Sequence, residues 1–142
     1  MGETYQSTVI EAPAERVWAV LRDFHDMSWA PNVVESCEPV GDADGDQVGA
    51  RRVLNGAFRE TLREHSDGDR MLRYSIDDGP SPVSKDDVSD YMGTVRVRSV
   101  TDTDRSFVEW SSRWQGSEEE AREFCHGIYT ALLQQLKRHF EG

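Results

Sequence analysis

The sequence is poor in the features that announce a metal centre, a disulfide scaffold or a membrane span. Its 142 residues hold only two cysteines, Cys37 and Cys125. They are too few and too widely spaced for a metal set, so both are read as reduced, small apolar side chains. Four histidines, His25, His65, His126 and His139, form no H-x-x-x-H pair, and neither a metal nor a cofactor is expected. No stretch nears the roughly 18 apolar residues that cross a bilayer. The opening Met1-Gly2-Glu3-Thr4-Tyr5-Gln6 lacks the basic and apolar blocks of a secretion signal, and Gln6 stands where myristoylation wants Ser or Thr. Stable membrane insertion is therefore not expected, and a cytoplasmic location is. Lysine is almost absent, with Lys85 and Lys137 alone, and the formal net charge is -11. A surface of that sign repels phosphate backbones and anionic lipid, so nucleic acid is not expected as a partner. Repeats, low-complexity tracts and linkers are missing too, which points to one domain over 1–142.

What is present reads as alternating strands between two kinds of helix. Residues 4–11 alternate with β-branched positions and predict an opening strand. Ala12-Pro13-Ala14-Glu15 then starts a helix, with Val17, Leu21 and Phe24 at helical spacing and Trp18 beside them. A second short helix is expected between Phe24 and Asn32, around Trp29-Ala30-Pro31. Strands follow at about 33–40, 48–55, 58–66, 70–77, 88–100 and 105–115. The run Gly41-Asp42-Ala43-Asp44-Gly45-Asp46 is a turn rather than a calcium loop, because Val53 occupies the twelfth position. Asn55-Gly56-Ala57 is a hairpin connection. Centred on Gly56, it sets Arg52 opposite Glu60 and Ala50 opposite Leu62. The next turns set Leu62 opposite Tyr74, Glu60 opposite Ile76, Val95 opposite Trp110 and Val97 opposite Val108. One sheet face thus collects Leu62, Leu72, Tyr74, Ile76, Tyr91, Val95, Val97, Val108 and Trp110. The other carries Arg59, Arg63, Arg73, Arg96, Arg98 and Glu109.

The final segment is a long amphipathic helix. Ser117-Glu118-Glu119-Glu120 reads as a capping box, and Ala121, Phe124, Cys125, Ile128, Leu132, Leu136 and Phe140 form its apolar stripe. The expected fold class is α+β: a seven-stranded curved antiparallel sheet wrapped around a long C-terminal helix, with two short helices after the first strand.

The stretch Ile10-Glu11-Ala12-Pro13-Ala14-Glu15-Arg16-Val17-Trp18, then Asp23-Phe24, Trp29 and the closing helix, resembles the START-like (SRPBCC) superfamily of helix-grip proteins, in its polyketide cyclase/dehydrase and lipid transport branch. Val34-Glu35-Ser36-Cys37, Val48-Gly49-Ala50-Arg51-Arg52, Glu60-Thr61-Leu62 and Tyr74-Ser75-Ile76 are also distantly similar to plant abscisic-acid receptors. That resemblance implies that Glu60, Tyr74, Ile76, Tyr91, Trp110, Phe124, Ile128 and Leu132 line a ligand cavity. Two departures count against the receptors' acidic hormone. Glu35 replaces the lysine that meets its carboxylate, and Asn55-Gly56-Ala57 replaces the proline-bearing gate loop.

The expected function is binding or transport of a small, largely hydrophobic molecule, lipid- or polyketide-like. Its apolar body would meet Leu62, Tyr74, Ile76, Tyr91, Trp110, Phe124, Ile128 and Leu132, with Trp29 and Val95 beside them. Arg52 and Glu60 would fix its polar end. The alternative is a polyketide cyclase or dehydratase with Glu60 as acid/base, tuned by burial and by Arg52, and Tyr91 as hydrogen-bond donor. A third reading has the Gly79–Asp87 loop reshaped by ligand and read by a partner. A homodimer stays open.

Overall fold

The computed structural model describes residues 1–141. Its elements run β1 (Gly2–Ile10), α1 (Ala14–Leu21), β2 (Cys37–Val40), β3 (Arg51–Leu54), β4 (Phe58–Ser66), β5 (Met71–Asp78), β6 (Ser89–Ser99), β7 (Ser106–Gln115) and α2 (Glu118–His139). The strands form one antiparallel sheet in the order β1-β7-β6-β5-β4-β3-β2, and α2 packs on β1 and β7. This is the expected α+β helix-grip arrangement.

The strand register follows the expected one. Arg52 faces Glu60, Leu62 faces Tyr74, Glu60 faces Ile76, Val95 faces Trp110 and Val97 faces Val108. Asn55 and Gly56 both take positive φ, 54° and 64°, and Ala57 N–H closes the turn onto Leu54 C=O at 2.9 Å. That backbone matches the twist of the flanking strands, which is why Asn-Gly suits it. Register shifts interrupt β4–β5 at Arg59/Glu60 and Leu62/Glu64, and β6–β7 at Ser89/Met92. An extra residue on one strand bends it, so these shifts add to the curvature of the sheet.

Two local expectations are corrected. No second helix forms between Phe24 and Asn32, where the chain runs through successive turns. Asp23 Oδ1 accepts from His25 N–H and Asp26 Oδ1 from Ser28 N–H, both at 2.9 Å. These short side chains hold backbone donors in turns instead of a helical ladder, and Pro31 has no N–H to offer. The capping box is not formed either. Ser117 sits in the left-handed region (φ 30°, ψ 54°) with no side-chain cap bond, whereas a capping Ser needs extended backbone. Gly116 beside it has φ 89° and passes so near Asp87 that a Cβ there would lie 2.5 Å from its carbonyl oxygen. The tight turn out of β7 sets Ser117's conformation.

Strand limits also shift: the strand read at 33–40 is confined to Cys37–Val40, and that at 48–55 to Arg51–Leu54. In the loop after β5, Val83 and Val88 are buried and anchor the segment.

Candidate functional site

The sheet's inner face and α2 do not close completely on each other. Between them lies a cavity of about 110 Å³ lined by Met27, Val33, Val34, Arg52, Leu54, Asn55, Phe58, Glu60, Tyr74, Ile76, Trp110, Phe124, Cys125, Ile128, Tyr129 and Leu132. A void of about 20 Å³ adjoins it, bounded by Leu21, Met27, Trp29, Arg52, Leu72, Tyr74, Val95 and Trp110. The broader groove of about 780 Å³ on the sheet's outer side is lined by Arg73, Arg96, Arg113, Glu109 and hydroxyl residues. That lining is charged and polar rather than apolar.

The inner cavity gathers Arg52, Glu60, Tyr74, Ile76, Trp110, Phe124, Ile128 and Leu132, all expected from the sequence. Trp29 and Val95 face the smaller void. Leu62 and Tyr91 are buried, at 0% and 2% exposure, but border neither space. Sequence reasoning passed over Tyr129, Cys125, Met27, Phe58, Val33, Val34, Leu54 and Asn55 as lining. Tyr129 had a signal: it follows Cys125 by four residues and precedes Leu132 and Leu133, all buried on α2.

A buried ion pair crosses the β3–β4 hairpin. Arg52 Nε and Nη2 both meet Glu60 Oε1, at 2.8 and 2.7 Å, with the two side chains 6% and 5% exposed. Arg52 Nη1 donates to Phe24 C=O at 2.9 Å and to Met27 Sδ at 3.5 Å. The guanidinium lies 3.7 Å from the Phe24 ring centroid and 5.5 Å from that of Tyr74. The turns after α1, which replace the expected helix, are what deliver these contacts. Burial pushes the Glu60 carboxyl above its ordinary range, and Arg52 pulls against that shift. Ion pairing favours the charged form, so burial outweighs it here.

Beside the pair runs a chain of buried polar groups. Trp110 Nε1 donates to Tyr74 Oη at 3.0 Å, and Tyr74 donates to Tyr129 Oη at 2.8 Å. The Tyr129 and Tyr91 hydroxyls bond each other, and Tyr91 donates to Cys125 Sγ at 3.2 Å. Gly93, opposite Tyr74 in the register, makes room for this ring: a Cβ there would fall 2.4 Å from Tyr74 Cζ. Burial raises the pKa of all three phenols and pushes that of the Cys125 thiol up to about 11. All four groups therefore stay protonated and neutral near neutral pH. Among the described residues no cluster of His, Cys, Asp or Glu is arranged to hold a metal, and no helix is long and apolar enough to cross a membrane.

Comparison with known proteins places this geometry. The chain superposes on a solved protein from Nitrosospira multiformis with a TM-score of 0.96 and 45% identity, over 99% of this chain and 97% of the other. The protein XoxI from Bacillus cereus gives 0.80 and 29%, over 99% and 96%. A protein from Thermobifida fusca gives 0.82 and 27%, over 98% and 93%. No significant match to a curated protein was found. Residues 1–141 match the family described as "Polyketide cyclase / dehydrase and lipid transport", and the chain belongs to that family.

Proposed function

We propose that the protein binds a small, largely hydrophobic molecule, lipid- or polyketide-like, in the cavity between α2 and the sheet. The supporting observation is the cavity itself: an apolar wall of Phe58, Ile76, Trp110, Phe124, Ile128 and Leu132 surrounding one buried ion pair, Arg52–Glu60. Apolar lining with a few convergent polar groups is the usual composition of a ligand site. At about 110 Å³ the space is below the roughly 300 Å³ of typical small-molecule pockets. A larger body requires the lining to rearrange; Phe58 and Phe124, stacked at 6.2 Å, form part of that lining. A cytoplasmic setting belongs to the same reading, supported by two free cysteines. The test is whether protein purified from its own host carries a small molecule that the cavity-filling Ile128→Trp excludes.

A second reading, a cyclase- or dehydratase-type enzyme, draws support from Glu60. A carboxyl raised by burial and bordering the cavity suits acid/base work. Tyr91 fits that scheme less well, because its hydroxyl is engaged by Cys125 and Tyr129. On this reading Glu60→Gln abolishes conversion of a bound substrate while affinity stays within a few-fold. Conversion that survives Glu60→Gln removes Glu60 as the acid/base.

A further inference from the structure

The polar groups around the cavity differ in what they have left to offer a ligand. A tyrosine hydroxyl has one proton to give, so the buried contacts have one consistent direction: Trp110 to Tyr74, Tyr74 to Tyr129, Tyr129 to Tyr91, Tyr91 to Cys125. Run that way, every phenolic proton in the chain is committed. Arg52 is nearly spent as well, with contacts to Glu60, Phe24 C=O and Met27 Sδ.

Apart from the weak S–H donor of Cys125, Glu60 is the exception. Its Oε1 takes both Arg52 donors, while Oε2 has no hydrogen-bond donor among the described residues. Yet the side chain is 5% exposed and borders the cavity. An oxygen that meets no protein donor at the edge of the cavity is open to a donor brought by a ligand. Size narrows the class further. An apolar cavity of about 150 Å³ takes benzene, so about 110 Å³ suits nothing larger than one ring without rearrangement.

Building on the binding reading above, we infer that the cavity selects small uncharged ring compounds bearing a hydroxyl, which donates to Glu60 Oε2, over hydrocarbons and over carboxylates. A carboxylate has no proton to give at neutral pH and is repelled by Glu60. A hydrocarbon leaves Oε2 bare.

Benzene, phenol and benzoate, titrated separately into the full chain and followed by NMR at the Trp110 indole and its neighbours, test the inference. Phenol is expected to bind about tenfold more tightly than benzene, the size of one charge-assisted hydrogen bond, and benzoate most weakly. Glu60→Gln, checked for folding by circular dichroism, is expected to shrink that preference, and the wild-type comparison decides even if this variant does not fold. Equal affinity for benzene and phenol, or tightest binding of benzoate, overturns the hydroxyl preference and leaves the cavity reading intact. Failure of all three probes to bind overturns this inference, while the binding reading stands or falls on the adduct of the host-purified protein.

Discussion

Arg52 and Glu60 show at the level of single residues what the interior concedes for a polar site. Desolvating two charges costs several kcal/mol apiece, and the attraction between them repays this only when the geometry is good. Here both Arg52 contacts converge on one oxygen, Glu60 Oε1. Removing one partner strands the other charge, so Glu60→Leu is expected to destabilise the fold by about 3–5 kcal/mol. The double variant Arg52→Met/Glu60→Leu recovers most of that loss. Chemical denaturation measures both, and a Glu60→Leu variant as stable as wild type contradicts the buried pair. The pairing was legible in the sequence because Asn55-Gly56 fixes the hairpin and the hairpin fixes the facing positions. Tyr129 was not singled out. The expected stripe already held Cys125, Leu132 and Leu136, and Tyr129 is buried among them on α2. Which polar group meets which across elements is set by packing, and no spacing rule reports it.

The elements differ in how they are tied to the sheet. Helix α1 has eight residues, too short to hold itself in water. One carboxylate in the turn before β5 supplies a tether: Asp67 Oδ1 accepts from Trp18 Nε1 at 2.8 Å and from Arg22 Nε at 3.0 Å. These partners hold the Asp67 carboxyl down at about 2, against an ordinary value near 3.9. The contribution is therefore complete above about pH 4 and disappears as pH falls toward 2. Asp67→Asn is expected to lower the melting temperature at pH 7 by a few degrees and to flatten its fall between pH 4 and 2. An unchanged acid limb contradicts the tether. The stretch after α1 shows the limit of periodicity. Its apolar residues hinted at a helix, but Asp23, Asp26 and Pro31 turn the backbone into loops that carry Phe24 and Met27 to Arg52. At α2 the Ser-Glu-Glu-Glu pattern suggested a cap, yet backbone conformation at Gly116 and Ser117 overrode it.

For the molecule as a whole, sheet order and helix position follow from alternation and turn chemistry, both visible in the sequence. The void between helix and sheet does not follow. A stripe that fills a core and one that lines a cavity have the same period, and only the curl of the sheet separates them. Register shifts beside Glu60 and at the start of β6 add to that curl, and no residue type announces a bulge there. The central claim is that this void is a binding site for a small apolar molecule. Native mass spectrometry of wild type and Ile128→Trp, both purified from the protein's own host and both folded by circular dichroism, tests it most directly. A small-molecule adduct is expected on the wild type and not on Ile128→Trp. An adduct carried equally by both proteins, or none on either, contradicts the claim.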